Sequence, residues 1–89
     1  MPHATFTFTD LKRILLEGSG APEGIELDEN VLDTEFGRLG YDSLALLETA
    51  GRVEREYGVS LEESILSDAP TPRSFVTAVA AHLGATAAA

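Results

Sequence analysis

The hydroxyl of Ser43 is the group in this chain best placed to do chemistry. It stands between Asp42 and Leu44, where a loop that contains Gly40 gives way to a strongly helical run. Ser43 falls in the first turn of that helix, where backbone N–H groups lack partners within the helix and the helix dipole is positive. A phosphate ester on this hydroxyl would be electrostatically tolerated. Taken alone, however, an Asp-Ser pair more often marks nothing more than the start of a helix.

A nucleophilic serine of a hydrolase is a poorer interpretation of the same residue. Ser43 is followed by Leu44 and Ala45, so the G-x-S-x-G turn that raises such a serine above its neighbours is absent. His3 and His82 stand near the two ends of the chain, and a domain this small offers little room for a walled triad site. The sequence therefore argues against a hydrolase.

The helix that begins at this point carries more apolar side chains than a core requires. At about 100° per residue, its core-facing side collects four residues, namely Leu46, Ala50, Val53 and Tyr57. Leu44 and Leu47 project instead toward the charged side, which also carries Glu48 and Glu54. The two leucines either contact the loop that precedes the helix or form a small apolar docking patch with an acidic rim.

Capping signals predict the limits of the first two helices. Thr7 and Asp10 match a capping box with Phe6 and Leu11 as its hydrophobic staple, and Thr9 is a competing cap. The glycines and proline of residues 18–22 predict the end of this first helix. The second helix is predicted from an N-cap at Asp42 to Tyr57, with Gly58 as its stop.

Two further helices are predicted in the second half of the chain. Ser60, with Glu63 at the capping-box position, predicts a short helical piece. Thr71 followed by Pro72 opens the last helix, whose core face is formed at helical spacing by Phe75, Val76, Val79 and Leu83. The small residues 85–89 are predicted to form a disordered tail.

The fold class predicted from these elements is all-α. Three main helices and one short helix form a small irregular bundle, with a long loop between the first and second helices that must be pinned to the core. The chain is expected to be a single domain, residues 1–89, with an ordered core over about 7–84. Asp28 and Asp33 in the loop lack the glycine and ligand spacing of an EF-hand, so a metal site is not predicted.

Composition excludes several classes of function. Fifteen acidic residues against six basic ones give a net charge of -9, which disfavours nucleic acid and anionic membranes and favours basic protein surfaces. There is no cysteine, and neither a membrane-spanning run nor a signal peptide is recognisable, so we expect a cytoplasmic protein.

The run FGRLGYDSLALLETA, residues 36–50, resembles the acyl carrier proteins. More narrowly, LGYDSLALLETA with REYGVSL and TPRSF downstream is similar to the discrete carriers of bacterial type II aromatic polyketide synthases. The resemblance extends roughly from Thr7 to Leu83, and a segment of this length at this place in a chain of this size is far more specific than Asp-Ser-Leu alone.

This resemblance implies a four-helix carrier fold in which Ser43 is esterified by the 4′-phosphopantetheine of coenzyme A. Asp42 and Leu44 would help a phosphopantetheinyl transferase to recognise the site, and Leu47, Glu48 and Glu54 would lie on the family's recognition helix. The terminal thiol of the arm would carry malonyl units and the growing poly-β-keto chain as thioesters.

The implied protein is a non-catalytic monomer. Its implied partners, besides the transferase, are a ketosynthase/chain-length-factor pair, a malonyl transferase, and a ketoreductase or cyclase. Two alternatives remain open at this point. One is a fatty-acid or peptidyl carrier, and the other is an unmodified acidic interaction module that binds a basic partner through the second helix.

Overall fold

The computed structural model describes residues 5–22, 24–62 and 64–88, with side chains as far as Leu83. The predictions that involve His3 and Glu63 lie outside these residues. Within them the chain forms four helices: α1 Phe8–Ser19, α2 Ser43–Tyr57, α3 Ile65–Asp68 and α4 Pro72–Ala88. Two short 3₁₀ turns, Glu29–Val31 and Phe36–Leu39, interrupt the long loop between α1 and α2. The predicted all-α fold of three main helices and one short helix is confirmed.

The first helix begins with the predicted capping box. The Thr7 hydroxyl accepts the Asp10 N–H at 3.5 Å, and the Asp10 carboxylate accepts the Thr7 N–H at 2.9 Å. Thr9, the competing cap, lies inside the helix. Phe6 and Leu11 are both buried, as a hydrophobic staple requires. The start of α1 is therefore set by local interactions that are visible in the sequence.

The short helix α3 begins later than predicted. Its first residue is Ile65, after Ser64, whose side chain makes no capping hydrogen bond. The predicted cap at Ser60 is wrong, because the residues that follow it form a non-helical link between α2 and α3. This link is held by α2, since the Leu61 N–H donates to the Glu54 carboxylate at 2.8 Å. A hydrogen bond to a residue of α2 is thus formed where a local helical turn was predicted.

The last helix begins where predicted and extends further along the chain than predicted. The Ser74 N–H donates to the Thr71 hydroxyl at 3.2 Å, and the Thr71 N–H donates to the Ser74 hydroxyl at 3.0 Å. At the other end, the helical backbone continues to Ala88, where a disordered tail from residue 85 was predicted. Alanine has the highest intrinsic helix propensity, so an alanine-rich end readily extends a helix that is already formed.

Aromatic contacts tie the long loop to the helices. Phe75 of α4 is 0% exposed and makes edge contacts with Phe6, at a centroid distance of 6.3 Å, and with Phe36 of the loop, at 6.0 Å. The Phe36 N–H also donates to the Pro70 carbonyl at 2.9 Å. The loop is therefore pinned to the core, as its apolar residues predicted. None of the described helices is both long and apolar enough to cross a membrane.

Candidate functional site

Ser43 is the first residue of α2 and is exposed to solvent. The turn before it is made possible by Gly40, which adopts a left-handed conformation with φ 91° and ψ 10° and whose N–H is bonded back to the 3₁₀ turn Phe36–Leu39. A residue with a side chain would be strained in that conformation. The local backbone thus turns sharply and brings the serine hydroxyl to the surface at the N-terminus of a helix.

Asp42 caps the helix that Ser43 begins. Its carboxylate accepts the Ala45 N–H at 2.8 Å, and its carbonyl accepts the Leu46 N–H at 3.0 Å. The predicted role of Asp42 as the N-cap of α2 is confirmed. The Ser43 hydroxyl therefore stands on an ordered first turn, in an open position at the positive end of a helix of fifteen residues, which suits a phosphate ester.

Tyr41 fixes the other side of this turn, a structural role that was not predicted from the sequence. Its ring is buried, and its hydroxyl donates to the Gly20 carbonyl at 3.1 Å. Burial raises the pKa of the Tyr41 phenol, so it remains protonated and able to donate at neutral pH. The sequence shows an aromatic residue beside Gly40, which could have indicated a role in this turn. Its hydrogen-bond partner is twenty-one positions away, however, and could not be predicted from the sequence.

The two surplus leucines of α2 are exposed. Leu44 is 64% and Leu47 is 56% exposed, so neither is covered by the long loop. The predicted core face is buried at Ala50, Val53 and Tyr57 and half-buried at Leu46. The structure thus leaves an apolar pair on the surface within one turn of Ser43.

The two predicted acidic residues of the docking face differ in their surroundings. Glu48 is exposed one position after Leu47, whereas Glu54 is half-buried and uses its carboxylate to hold the Leu61 N–H. Glu54 therefore has a structural task that sequence analysis missed. The patch formed by Leu44, Leu47 and Glu48 is called the docking face below.

Replacement of Glu54 by alanine is expected to lower the free energy of unfolding by about 1–3 kcal/mol, because a charge-assisted bond to a backbone N–H is lost. Glu54→Gln keeps an acceptor oxygen and is expected to cost less. Glu48→Ala on the same helix is the matched control, with an expected change within about 0.5 kcal/mol. Urea denaturation followed by circular dichroism measures all three, and equal values for Glu54→Ala and Glu48→Ala would contradict the structural role.

Ion pairs neutralise another part of the surface. Arg13 of α1 pairs with Glu56 of α2 at 2.9 Å, and Arg52 of α2 pairs with Glu17 of α1. In the part of the chain that the structure describes, neither Asp42 nor Glu48 takes part in an ion pair. The acidic charge beside Ser43 is therefore left to act on a partner, while the charges between α1 and α2 balance one another.

A groove of about 510 Å³ lies elsewhere on the molecule, between α3 and the outer side of α4. It is lined by residues that include Ile65, Ala78 and His82, and by none of the predicted site residues. The predicted site residues around Ser43 are thus brought together by α2 and its N-cap, on an open surface and outside this groove.

Comparison with known proteins assigns this arrangement to a family. Residues 23–79 match the model of the family described as a phosphopantetheine attachment site. That range contains the whole of α2 and its exposed serine. The chain belongs to this family, whose cofactor is phosphopantetheine.

The relatives narrow the class further. The chain is 51% identical to the monensin polyketide synthase acyl carrier protein of Streptomyces virginiae, over 96% of both chains. It is 47% identical to the oxytetracycline polyketide synthase acyl carrier protein of Streptomyces rimosus, over 86% of this chain and 81% of that one. The solution structure of the acetyl actinorhodin acyl carrier protein from Streptomyces coelicolor matches with a TM-score of 0.80 and 40% identity, over 93% of this chain and 98% of that one.

These findings make the chain an acyl carrier protein of the type II polyketide synthases, a carrier subunit that works with synthase enzymes and is not itself a catalyst. The resemblance stated from the sequence is confirmed, and so is its implied cofactor.

Proposed function

We propose that Ser43 is the residue to which the phosphopantetheine arm is attached, and that Leu44, Leu47 and Glu48 form the surface on which partner enzymes dock. The observation that carries the proposal is the exposed Ser43 hydroxyl on the first residue of α2, within a chain that matches the attachment family. Ser60, Ser64 and Ser67 also lie in the matched range, but none of them stands at the start of a long helix. Ser74 lies in the first turn of α4, but it is half-buried and its hydroxyl is hydrogen-bonded to Thr71.

The attachment step requires little of this chain beyond presentation of the hydroxyl. The Ser43 oxygen forms a new bond to phosphorus, a P–O bond in the pyrophosphate of coenzyme A breaks, and adenosine 3′,5′-bisphosphate leaves. A basic group of the transferase would accept the serine proton, and its magnesium ion would stabilise the negative charge on the phosphate oxygens. This chain contributes the open N-terminus of α2, where the attached phosphate meets a favourable helix dipole.

The arm supplies a terminal thiol on which acyl groups are held as thioesters. We propose that these are malonyl units and a growing poly-β-keto chain, presented in the cytoplasm to a ketosynthase/chain-length-factor pair, a malonyl transferase, and a ketoreductase or cyclase. The exposed leucines supply the apolar contact, and the unpaired charges of Asp42 and Glu48 favour basic partner surfaces. Such binding is expected to be weak and sensitive to salt.

The test of Ser43 is the intact mass of the protein after incubation with coenzyme A, magnesium and a broad-specificity phosphopantetheinyl transferase. The native protein is expected to gain one phosphopantetheine, and Ser43→Ala is expected to gain none. Ser67→Ala, which removes an exposed hydroxyl on α3, is the matched control and should be modified as the native protein is.

Two outcomes would overturn this proposal. Modification of folded Ser43→Ala would place the arm on another residue. No modification of the folded native protein would favour the unmodified acidic interaction module. A fatty-acid or peptidyl carrier would instead be revealed by the loaded form, if it accepted only fatty acyl or aminoacyl groups and was not extended with malonyl units.

A further inference from the structure

The turn that presents Ser43 is joined to α1 through one buried side chain. The Tyr41 ring is 5% exposed, and its hydroxyl donates to the Gly20 carbonyl at 3.1 Å. Gly20 is itself fixed, because its N–H donates to the Leu16 carbonyl at 3.1 Å and closes the end of α1. The hydrogen bond therefore links the C-terminal cap of one helix to the residue two positions before Ser43.

The backbone around Tyr41 leaves little freedom between this link and the serine. The Tyr41 N–H donates to the Phe36 carbonyl at 3.0 Å, so both its backbone and its side chain are held. Asp42 is the sole residue between Tyr41 and Ser43, and it is occupied in capping α2. A displacement of Tyr41 is therefore transmitted to the first turn of the helix.

The ion pairs between α1 and α2 lie far from this end. In the described part of the chain, the ion pairs that join the two helices use Arg52 and Glu56, which are nine and thirteen residues beyond Ser43. At a rise of 1.5 Å per residue, the nearer of them is about 13 Å along the helix axis. Those pairs hold the middle and the end of α2, and the Tyr41 hydroxyl acts at its beginning.

We infer that Tyr41 is a positioning residue for the modification of Ser43, which it serves by holding the first turn of α2 against the end of α1. The inference rests on the proposed function of Ser43. Tyr41 is buried and is not expected to contact the transferase. Its hydroxyl limits the orientations that the Ser43 oxygen samples when the carrier is docked, so its loss slows the chemical step without weakening docking.

The test compares Tyr41→Phe with Tyr57→Phe. Tyr57 is the other tyrosine of the chain, its ring is buried to a similar extent, and its hydroxyl is bonded to Arg13 at 3.4 Å, at the opposite end of α2. Both substitutions keep the ring and remove one hydroxyl. Differences between the two variants therefore report on the place of the lost hydrogen bond and exclude a general effect of losing one.

The first measurement is the steady-state rate of phosphopantetheinylation at varied carrier concentration. Tyr41→Phe is expected to lower kcat about three- to tenfold and to leave KM within about twofold, because the docking face is intact. Tyr57→Phe is expected to leave both constants within about twofold of the native values. Equal kcat values for the two variants would overturn the inference.

The second measurement does not depend on modification. Amide hydrogen exchange of the apo protein is expected to be about fivefold faster or more at Ala45 and Leu46 in Tyr41→Phe, and unchanged there in Tyr57→Phe. Unchanged amide exchange in Tyr41→Phe would show that the hydrogen bond does not hold the first turn of α2, and would overturn the inference. Faster exchange with an unchanged kcat would also overturn it, because the hydrogen bond would then stabilise the fold without positioning Ser43.

If the native protein were not modified at Ser43, the proposed function itself would fail. A modified native protein with no difference between the two variants would refute this inference alone.

Discussion

Truncation of Phe75 to alanine is expected to lower the free energy of unfolding by about 3–5 kcal/mol. Phe75 is 0% exposed and makes edge contacts with Phe6, which leads into α1, and Phe36, which begins the second turn of the long loop. The substitution leaves a cavity at the point where α4 meets both. Because a domain of this size has a total stability of about 5–10 kcal/mol, much of it would be lost.

Phe8→Ala is the matched control for this prediction. Phe8 is a half-buried phenylalanine of α1 that packs against the same core, so its loss is expected to cost less, about 1–2 kcal/mol. Urea denaturation followed by circular dichroism measures both variants. If Phe75→Ala cost no more than Phe8→Ala, Phe75 would not be the centre of the core.

The variant that combines Leu44→Ala with Leu47→Ala is expected to lower kcat/KM for phosphopantetheinylation about 10- to 100-fold, because apolar anchors near the centre of a docking surface carry much of the binding energy. Both side chains are more than half exposed, so the free energy of unfolding is expected to change by no more than about 1 kcal/mol. The same preparations provide both measurements.

Leu16→Ala is the control for the leucine pair. Leu16 is the other exposed leucine of the described chain, 37% exposed on α1, and it lies outside the docking face. Its removal is expected to leave kcat/KM within about twofold of the native value. A comparable loss from Leu16→Ala would mean that apolar surface in general, and no particular face, determines recognition.

Glu54 shows where sequence and structure assign different tasks to one residue. Helical periodicity places it on the charged side of α2, and that assignment led to its prediction as a recognition residue. The structure adds that its carboxylate holds the link to α3 through the Leu61 N–H. A charge reversal at Glu54 would therefore disturb folding as well as docking, and Glu48 is the better residue with which to test recognition.

The sequence by itself determined where the three main helices begin and the place of the serine. Thr7 with Asp10, Asp42 and Thr71 each mark the start of a helix because a cap acts over three residues, and such a signal is complete within a short stretch of chain. Periodicity placed Leu44 and Leu47 on the charged side of α2 for the same reason, whereas the structure decided that the loop leaves them uncovered. The motif around Ser43 was long enough to identify the family before any contact was known.

The tertiary structure alone decided how that serine is held. The bond from Tyr41 to Gly20, the bond from Leu61 to Glu54, and the contact of Phe36 with Phe75 join residues that are seven to thirty-nine positions apart. No local rule predicts such partners, because a buried hydroxyl or N–H group donates to whichever oxygen the packed fold brings within reach. The start of α3 was predicted too early for this reason. The Leu61 N–H, which follows the predicted cap Ser60, donates to Glu54 on α2 and is not part of a helical turn.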